Sequence, residues 1–99
     1  MAPRHSGKQV NLITRELTVM NEDGLHARPA AEFVRCVLAF RSAIHIVAGG
    51  KRYRADRIMD VLLANLDRGS TFVLEAYGLD AQAAVERLEK LPMFSQEIV

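Results

Sequence analysis

A turn that delivers a histidine to the start of a helix constrains this chain more than any other stretch. Asn21-Glu22-Asp23-Gly24 reads as a turn ending in a glycine able to take positive φ, and Leu25-His26-Ala27-Arg28-Pro29-Ala30-Ala31 follows it directly. Pro29 falls within the first turn of the helix, where its missing N–H breaks no intrahelical bond. The backbone amides at such a helix start have no intrahelical partner, and the helix dipole is positive there, so a negatively charged group on His26 would meet donors and favourable potential together. Arg28 would add a fixed charge and a forked set of donors. The residues alone leave two readings of His26 open: a polar cap, or a reactive centre.

Hydrophobic periodicity places the remaining elements. Ile13 to Met20 fits a strand with Leu17 and Val19 toward the core and Glu16 and Thr18 on the other side. In the helix after Pro29, Ala30, Phe33, Val34, Val37 and Phe40 recur at helical spacing, whereas Glu32, Arg35 and Cys36 fall away from that stripe. Ala43 to Val47 alternates Ile44 and Ile46 against His45, and Gly49-Gly50 marks a hairpin into a strand near Arg52 to Ala55. His45 is expected to be an exposed strand residue. Asp56 is expected to cap a second helix running to about Leu66, with Gly69 as its stop signal. Its apolar positions, Ile58, Leu62 and Leu66 beside Met59 and Leu63, are wider than one core-facing stripe requires, which fits either a surface left open for a partner or a fully buried short helix. Thr71 to Tyr77 reads as a fourth strand with Phe72, Leu74 and Ala76 inward, and Asp80 caps a last helix that buries Ala84, Leu88 and Leu91 before Pro92 ends it.

The order strand, helix, strand, strand, helix, strand, helix predicts an α+β layer with helices on one face of a sheet, an outline common to ferredoxin-like regulatory domains and to one other family. At 99 residues and 49% hydrophobic content the chain can bury one core. The expected organisation is a flexible N-terminal leader over residues 1–12, a domain over 13–92 and a C-terminal tail over 93–99; His5, in the leader, is incidental. A formal charge of +1 argues against a dedicated nucleic-acid binder, although Lys51, Arg52, Arg54 and Arg57 form a basic cluster suited to an acidic protein surface. The single Cys36 offers no internal disulfide, and no metal-ligand spacing or signal core is present, so no metal, no cofactor, no membrane span and a cytoplasmic location are expected.

The octapeptide Gly24 to Ala31 resembles the phosphorylation site of the HPr family, the small histidine-containing phosphocarriers of the bacterial phosphotransferase system, including its nitrogen-related branch. The resemblance runs from about Arg15 to Leu91, through Arg57-Ile58-Met59-Asp60, the Arg68-Gly69 turn, Glu75-Ala76-Tyr77-Gly78 and the final helix from Ala83. It implies an open-faced sandwich, a four-stranded antiparallel sheet with three helices on one face, in a monomer. It also implies a relay: an enzyme I-type donor passes a phosphoryl group to His26, at Nδ1, and the group moves on to an enzyme II-type or regulatory acceptor. Arg28 and the amides of Ala27 and Arg28 would stabilise the transferring group. Ile58, Met59, Leu62 and Leu63 match the family's docking surface, with Arg52, Arg54 and Arg57 at its edges. The nearest carboxylates in sequence, Glu22 and Asp23, read as turn and surface residues, so nothing adjacent serves as a general base for hydrolysis.

Two departures stand out. Many members carry a serine at the start of the second helix that a regulatory kinase phosphorylates; Arg57 takes that place here, and Asp60 replaces a frequent glycine. The serine switch is therefore not expected. Two other functions fit the fold outline: a regulatory binding module acting by phosphorylation-dependent contact, and a ferredoxin-like ligand sensor.

Overall fold

The computed structural model describes residues 10–95. Its elements are β1 (Asn11–Thr18), α1 (Ala27–Val37), β2 (Ala43–Ala48), β3 (Lys51–Arg54), α2 (Ile58–Leu63), β4 (Thr71–Gly78) and α3 (Ala81–Leu88). The sheet runs β1-β4-β2-β3 with every neighbouring pair antiparallel. Period-two alternation explains its two faces. Leu17, Ile44, Ile46, Phe72, Leu74 and Ala76 point to the helices and are buried, whereas Tyr77, Glu75 and His45 lie on the uncovered face. The α1 stripe is as its spacing predicts: Ala30, Phe33, Val34 and Val37 are buried, and Phe40 and Cys36 pack at the core's margin.

Both ends of the domain reach further than expected. Asn11 and Leu12, assigned to the leader, are strand residues that pair with Gly78 and Tyr77. Their exposure hid them, because β1 is an edge strand whose first residues are held by backbone bonds and not by burial. The assignment of the first nine residues and of 96–99 lies outside the described residues. At the other end, α3 closes at Leu88, and Pro92 does not end the packed structure. Met93 and Phe94, assigned to the tail, are core residues. Phe94 meets Phe33 and Phe72 edge-on, each with ring centroids 5.5 Å apart, and the Met93 carbonyl accepts a 2.8 Å bond from the Met20 amide.

The carboxylates also do different work from that expected of helix caps. Asp56 does not cap α2. Its carboxylate is gripped by Arg54 through Nε and Nη2 at 3.0 and 2.8 Å, a fork that holds the Asp56 carboxyl below the usual range, and Arg57 is the N-cap. Asp60 accepts a bond from the Arg54 amide at 3.1 Å, which fastens the first turn of α2 to the end of β3. The helix also stops early. Asn65 takes φ 51°, and the chain leaves the helix there, so Leu66 packs into the core from a loop and Gly69 belongs to the turn before β4.

Asp80 occupies the N-cap of α3 yet makes no cap bond with its side chain. Instead its two oxygens accept from the Arg41 amide at 2.9 Å, the Ser42 amide at 2.9 Å and the Ser42 hydroxyl at 2.5 Å. The α1–β2 connection is thereby tied to the start of α3. Gly78 completes this corner, since a Cβ there would lie 2.5 Å from Ser42 Oγ and 2.8 Å from its Cα. Among the described residues, no helix is long and apolar enough to cross a membrane.

Donation from the Arg41 amide, and then from Ser42, holds the Asp80 carboxyl below its ordinary range. A carboxyl lowered on folding contributes stability above its unfolded pKa, near 4, and loses that contribution as pH falls through the folded value. Asp80→Ala leaves the buried Ser42 donors without an acceptor and should cost about 1–3 kcal/mol at pH 7. In thermal melts the gap between wild type and variant is expected to narrow as the pH drops below about 5; a gap independent of pH would show that the charge on Asp80 is not what holds this corner.

Candidate functional site

The site is built where the loop before α1 meets the loop after α2. The Gly24 amide closes its turn on the Asn21 carbonyl at 3.0 Å, and Leu25, fully buried, donates its amide to the Leu66 carbonyl at 2.8 Å. Gly24 is needed at this approach for two reasons. Its φ is 77°, and a Cβ on it would lie 2.8 Å from the Leu66 oxygen and 3.1 Å from Asp67 Cα. The loops therefore touch backbone to backbone, and the residues that follow in each, His26 and Asp67, are brought side by side.

His26 is the N-cap of α1, as the sequence predicts, with extended torsions (φ −130°, ψ 166°). Its imidazole makes no capping bond. The polar-cap reading is set aside by what the ring does instead: Nε2 lies 3.2 Å from Asp67 Oδ1, across 41 residues of sequence. A carboxylate offers only acceptors, so this contact suits the tautomer that carries its hydrogen on Nε2 and leaves the lone pair at Nδ1. The side chain is about one-third exposed, open enough to be reached and fixed enough to be aimed.

Asp67 is held in turn. Its amide donates to Ser70 Oγ at 3.1 Å, its carbonyl accepts from the Ser70 amide at 2.9 Å, and the Gly69 amide bonds the Val19 carbonyl at 2.7 Å. Sequence reasoning missed Asp67. The nearby Glu22 and Asp23 drew attention by proximity in the chain, yet both are exposed and the carboxylate at the ring comes from the far loop. No local pattern marks such a pairing.

The sequence also gave no sign of backbone strain at Ala27. Its φ is 51°, in the left-handed region that an alanine enters at a cost of about 1–2 kcal/mol. Helical torsions begin after it, and the first intrahelical bond, Ala30 N–H to His26 O, is long at 3.4 Å. The amides of Ala27 and Arg28 precede that bond, and Pro29 has none to offer, so the helix opens with two amides that have no intrahelical partner. Arg28 is exposed and has no ion pair among the described residues. Next to His26 in the chain, therefore, stand the positive end of a helix and a guanidinium without an ion pair among the described residues.

The second group of predicted residues falls on α2, whose last turn leads into the Asp67 loop. Val61 and Leu66 supply the core contact, and Leu62 is partly buried. Ile58, Met59 and Leu63 are 38%, 65% and 68% exposed, which decides between the two readings of this helix in favour of an open apolar surface. Of the expected basic edge, Arg57 sits at the N-cap beside the patch. Arg54 is occupied by Asp56, and Arg52 reaches Glu75 at 3.0 Å on the uncovered sheet face. Arg52 is thus not an edge of this patch, because strand alternation turns it away from the helices. His45 shares that far face and is remote from the site.

The chain is similar to known proteins over most of its length. The family described as PTS HPr component phosphorylation site matches residues 13–92. The chain is 38% identical over 80 residues to the phosphocarrier protein HPr of Buchnera aphidicola subsp. Schizaphis graminum, covering 81% of this chain and 94% of that protein. It is 35% identical over 80 residues to that of Haemophilus influenzae, with the same coverage of both chains. A crystal structure of HPr-C-His from Thermoanaerobacter tengcongensis superposes with a TM-score of 0.81 at 32% identity, over 87% of this chain and 99% of that one.

The close approach at Gly24 is testable against a matched control. Gly50 has the same φ, 77°, with nothing within 4 Å of an added Cβ. Gly50→Ala should therefore show the backbone penalty alone, about 1–2 kcal/mol. Gly24→Ala adds a clash with the Asp67 loop and should lose at least about 1 kcal/mol more, a further drop in Tm of roughly 4–8 °C. Equal losses in the two variants would show that the two loops do not depend on backbone contact.

Proposed function

This chain belongs to the HPr family of phosphocarriers, and from that premise we propose that its phosphoryl group is carried on Nδ1 of His26. One observation carries the assignment: Nε2 is engaged by Asp67 at 3.2 Å, so the free lone pair of the ring is at Nδ1, at the open end of α1. Attack on phosphorus needs a neutral nitrogen with its lone pair exposed. Charge on the three equatorial oxygens would be met by Arg28 and by the amides of Ala27 and Arg28, donors already in place before the group arrives.

The donor is a phosphorylated enzyme I-type protein, and the acceptor an enzyme II-type component or a regulatory counterpart. A carrier that meets both in turn needs a surface that binds briefly. The exposed Ile58, Met59 and Leu63, backed by Leu62, form a small apolar patch next to the Asp67 loop, and Arg57 adds a positive edge for steering. The residues assigned here to hold the group, His26, Ala27, Arg28 and Asp67, all lie in one chain, which supports a monomer as the working unit. The family match favours this relay over a ligand sensor.

Incubation with a phosphorylated enzyme I-type donor, followed by intact mass before and after acid treatment, tests the acceptor. His26→Ala should abolish the acid-labile increase, and His45→Ala should retain it; labelling that persists without His26 would refute the assignment. Arg28→Ala should slow transfer by roughly 10- to 1,000-fold with the fold unchanged.

The docking surface has its own test. An arginine at a helix start is disfavoured by the dipole by about 0.3–1 kcal/mol, so Arg57→Glu should leave Tm equal or slightly raised while weakening transfer in a salt-dependent way. Met59→Asp should impair transfer even at high salt. Normal rates in both variants would rule out α2 as the docking face.

A further inference from the structure

We infer that Asp67 is a positioning residue that keeps the proton on His26 Nε2 through both halves of the relay, so that the ring accepts and donates a phosphoryl group without gaining or losing a proton. The inference rests on the reading of His26 as acceptor and concerns what makes that acceptor reversible.

In the accepting step the Nδ1 lone pair forms a bond to phosphorus while the bond between phosphorus and the donor's leaving atom breaks, its electron pair returning to that atom. The His26 ring, still protonated at Nε2, then carries a positive charge. In the donating step the acceptor's lone pair attacks phosphorus, the N–P bond breaks, and its electrons return to Nδ1, regenerating the neutral ring with Nε2–H in place. If Nε2 lost its proton in between, the leaving group would be an imidazolate, a far poorer one. A carboxylate on Nε2–H opposes that loss, because it stabilises the positive ring and offers the proton an acceptor without removing it.

Geometry fits this role. The Nε2 to Oδ1 distance is 3.2 Å, and Nε2 lies across the ring from Nδ1, so the carboxylate is set apart from the transferring oxygens. The Asp67 side chain is 74% exposed, which excludes a packing function, yet its backbone is bonded on both sides through Ser70. The approach of Leu66 and Asp67 to Gly24 leaves no room for a Cβ, and Leu25 bonds Leu66 at 2.8 Å. An exposed carboxylate on so fixed a backbone is a group presented to its neighbour. The other charged groups of these elements, Glu22 and Asp23 in the turn, Arg28 on α1 and Arg68 beside Asp67, make no hydrogen bond to the imidazole among the described residues.

The test combines a spectroscopic readout with transfer kinetics in the full chain. Imidazole 15N shifts of His26 report the tautomer: in the wild type Nε2–H should dominate, and Asp67→Ala should give a mixture. Donation from the phosphorylated Asp67→Ala protein to an acceptor should slow on the order of tenfold. Asp67→Asn, which keeps a neutral acceptor at the same place, should recover the tautomer and part of the rate. If Asp67→Ala is labelled normally and both tautomer and donation rate match the wild type, this inference falls while the acceptor assignment stands; a wild-type protein that takes up no acid-labile group removes both.

Discussion

The bond from the Leu25 amide to the Leu66 carbonyl, made possible by the bare α-carbon of Gly24, is the contact on which the site depends. It joins two loops that belong to different helices, and everything of chemical interest extends from that junction. On one side the chain turns into α1 and opens its first amides; on the other it presents Asp67 and continues to β4. A local hydrogen bond of ordinary strength thus sets the relative placement of groups that no single secondary element could bring together.

Around that junction the carboxylates divide their labour by geometry. Asp80 and Asp60 bind backbone amides and fix connections, Asp56 forks with Arg54, and Asp67 alone meets an imidazole. The same residue type serves three local purposes, because the number and orientation of donors within reach differ at each place. The exposed side of α2 shows a related economy. Six helical residues supply one fully buried side chain, Val61, and leave three large apolar ones at the surface, a distribution that favours transient contact over stability.

Much of the fold was legible from periodicity. The α1 stripe, the inward residues of β4 and the hairpin at Gly49-Gly50 follow from spacing and turn chemistry, and so does the delivery of His26 to a helix start. What escaped was decided by partners distant in sequence. Asp56 has the look of a cap, yet Arg54 claims it; Phe94 follows a proline near the end of the chain, yet two aromatic rings receive it; Asn11 and Leu12 look like leader residues, yet β4 pairs with them. Asp67 is the sharpest case, because nothing within several residues of it distinguishes a carboxylate that meets a histidine from one that meets water.

The strand order has a kinetic consequence. Among the described residues β1 pairs only with β4, so the edge of the sheet closes between residues far apart in sequence, from Asn11 with Gly78 to Thr18 with Thr71. Contacts so far apart in sequence carry a large loop-closure cost and form late. The His26 and Asp67 loops flank this same closure, since Val19 bonds both Gly69 and Ser70 just beyond the end of the ladder. The contact between His26 and Asp67 is therefore complete only in a molecule whose β1–β4 ladder has closed.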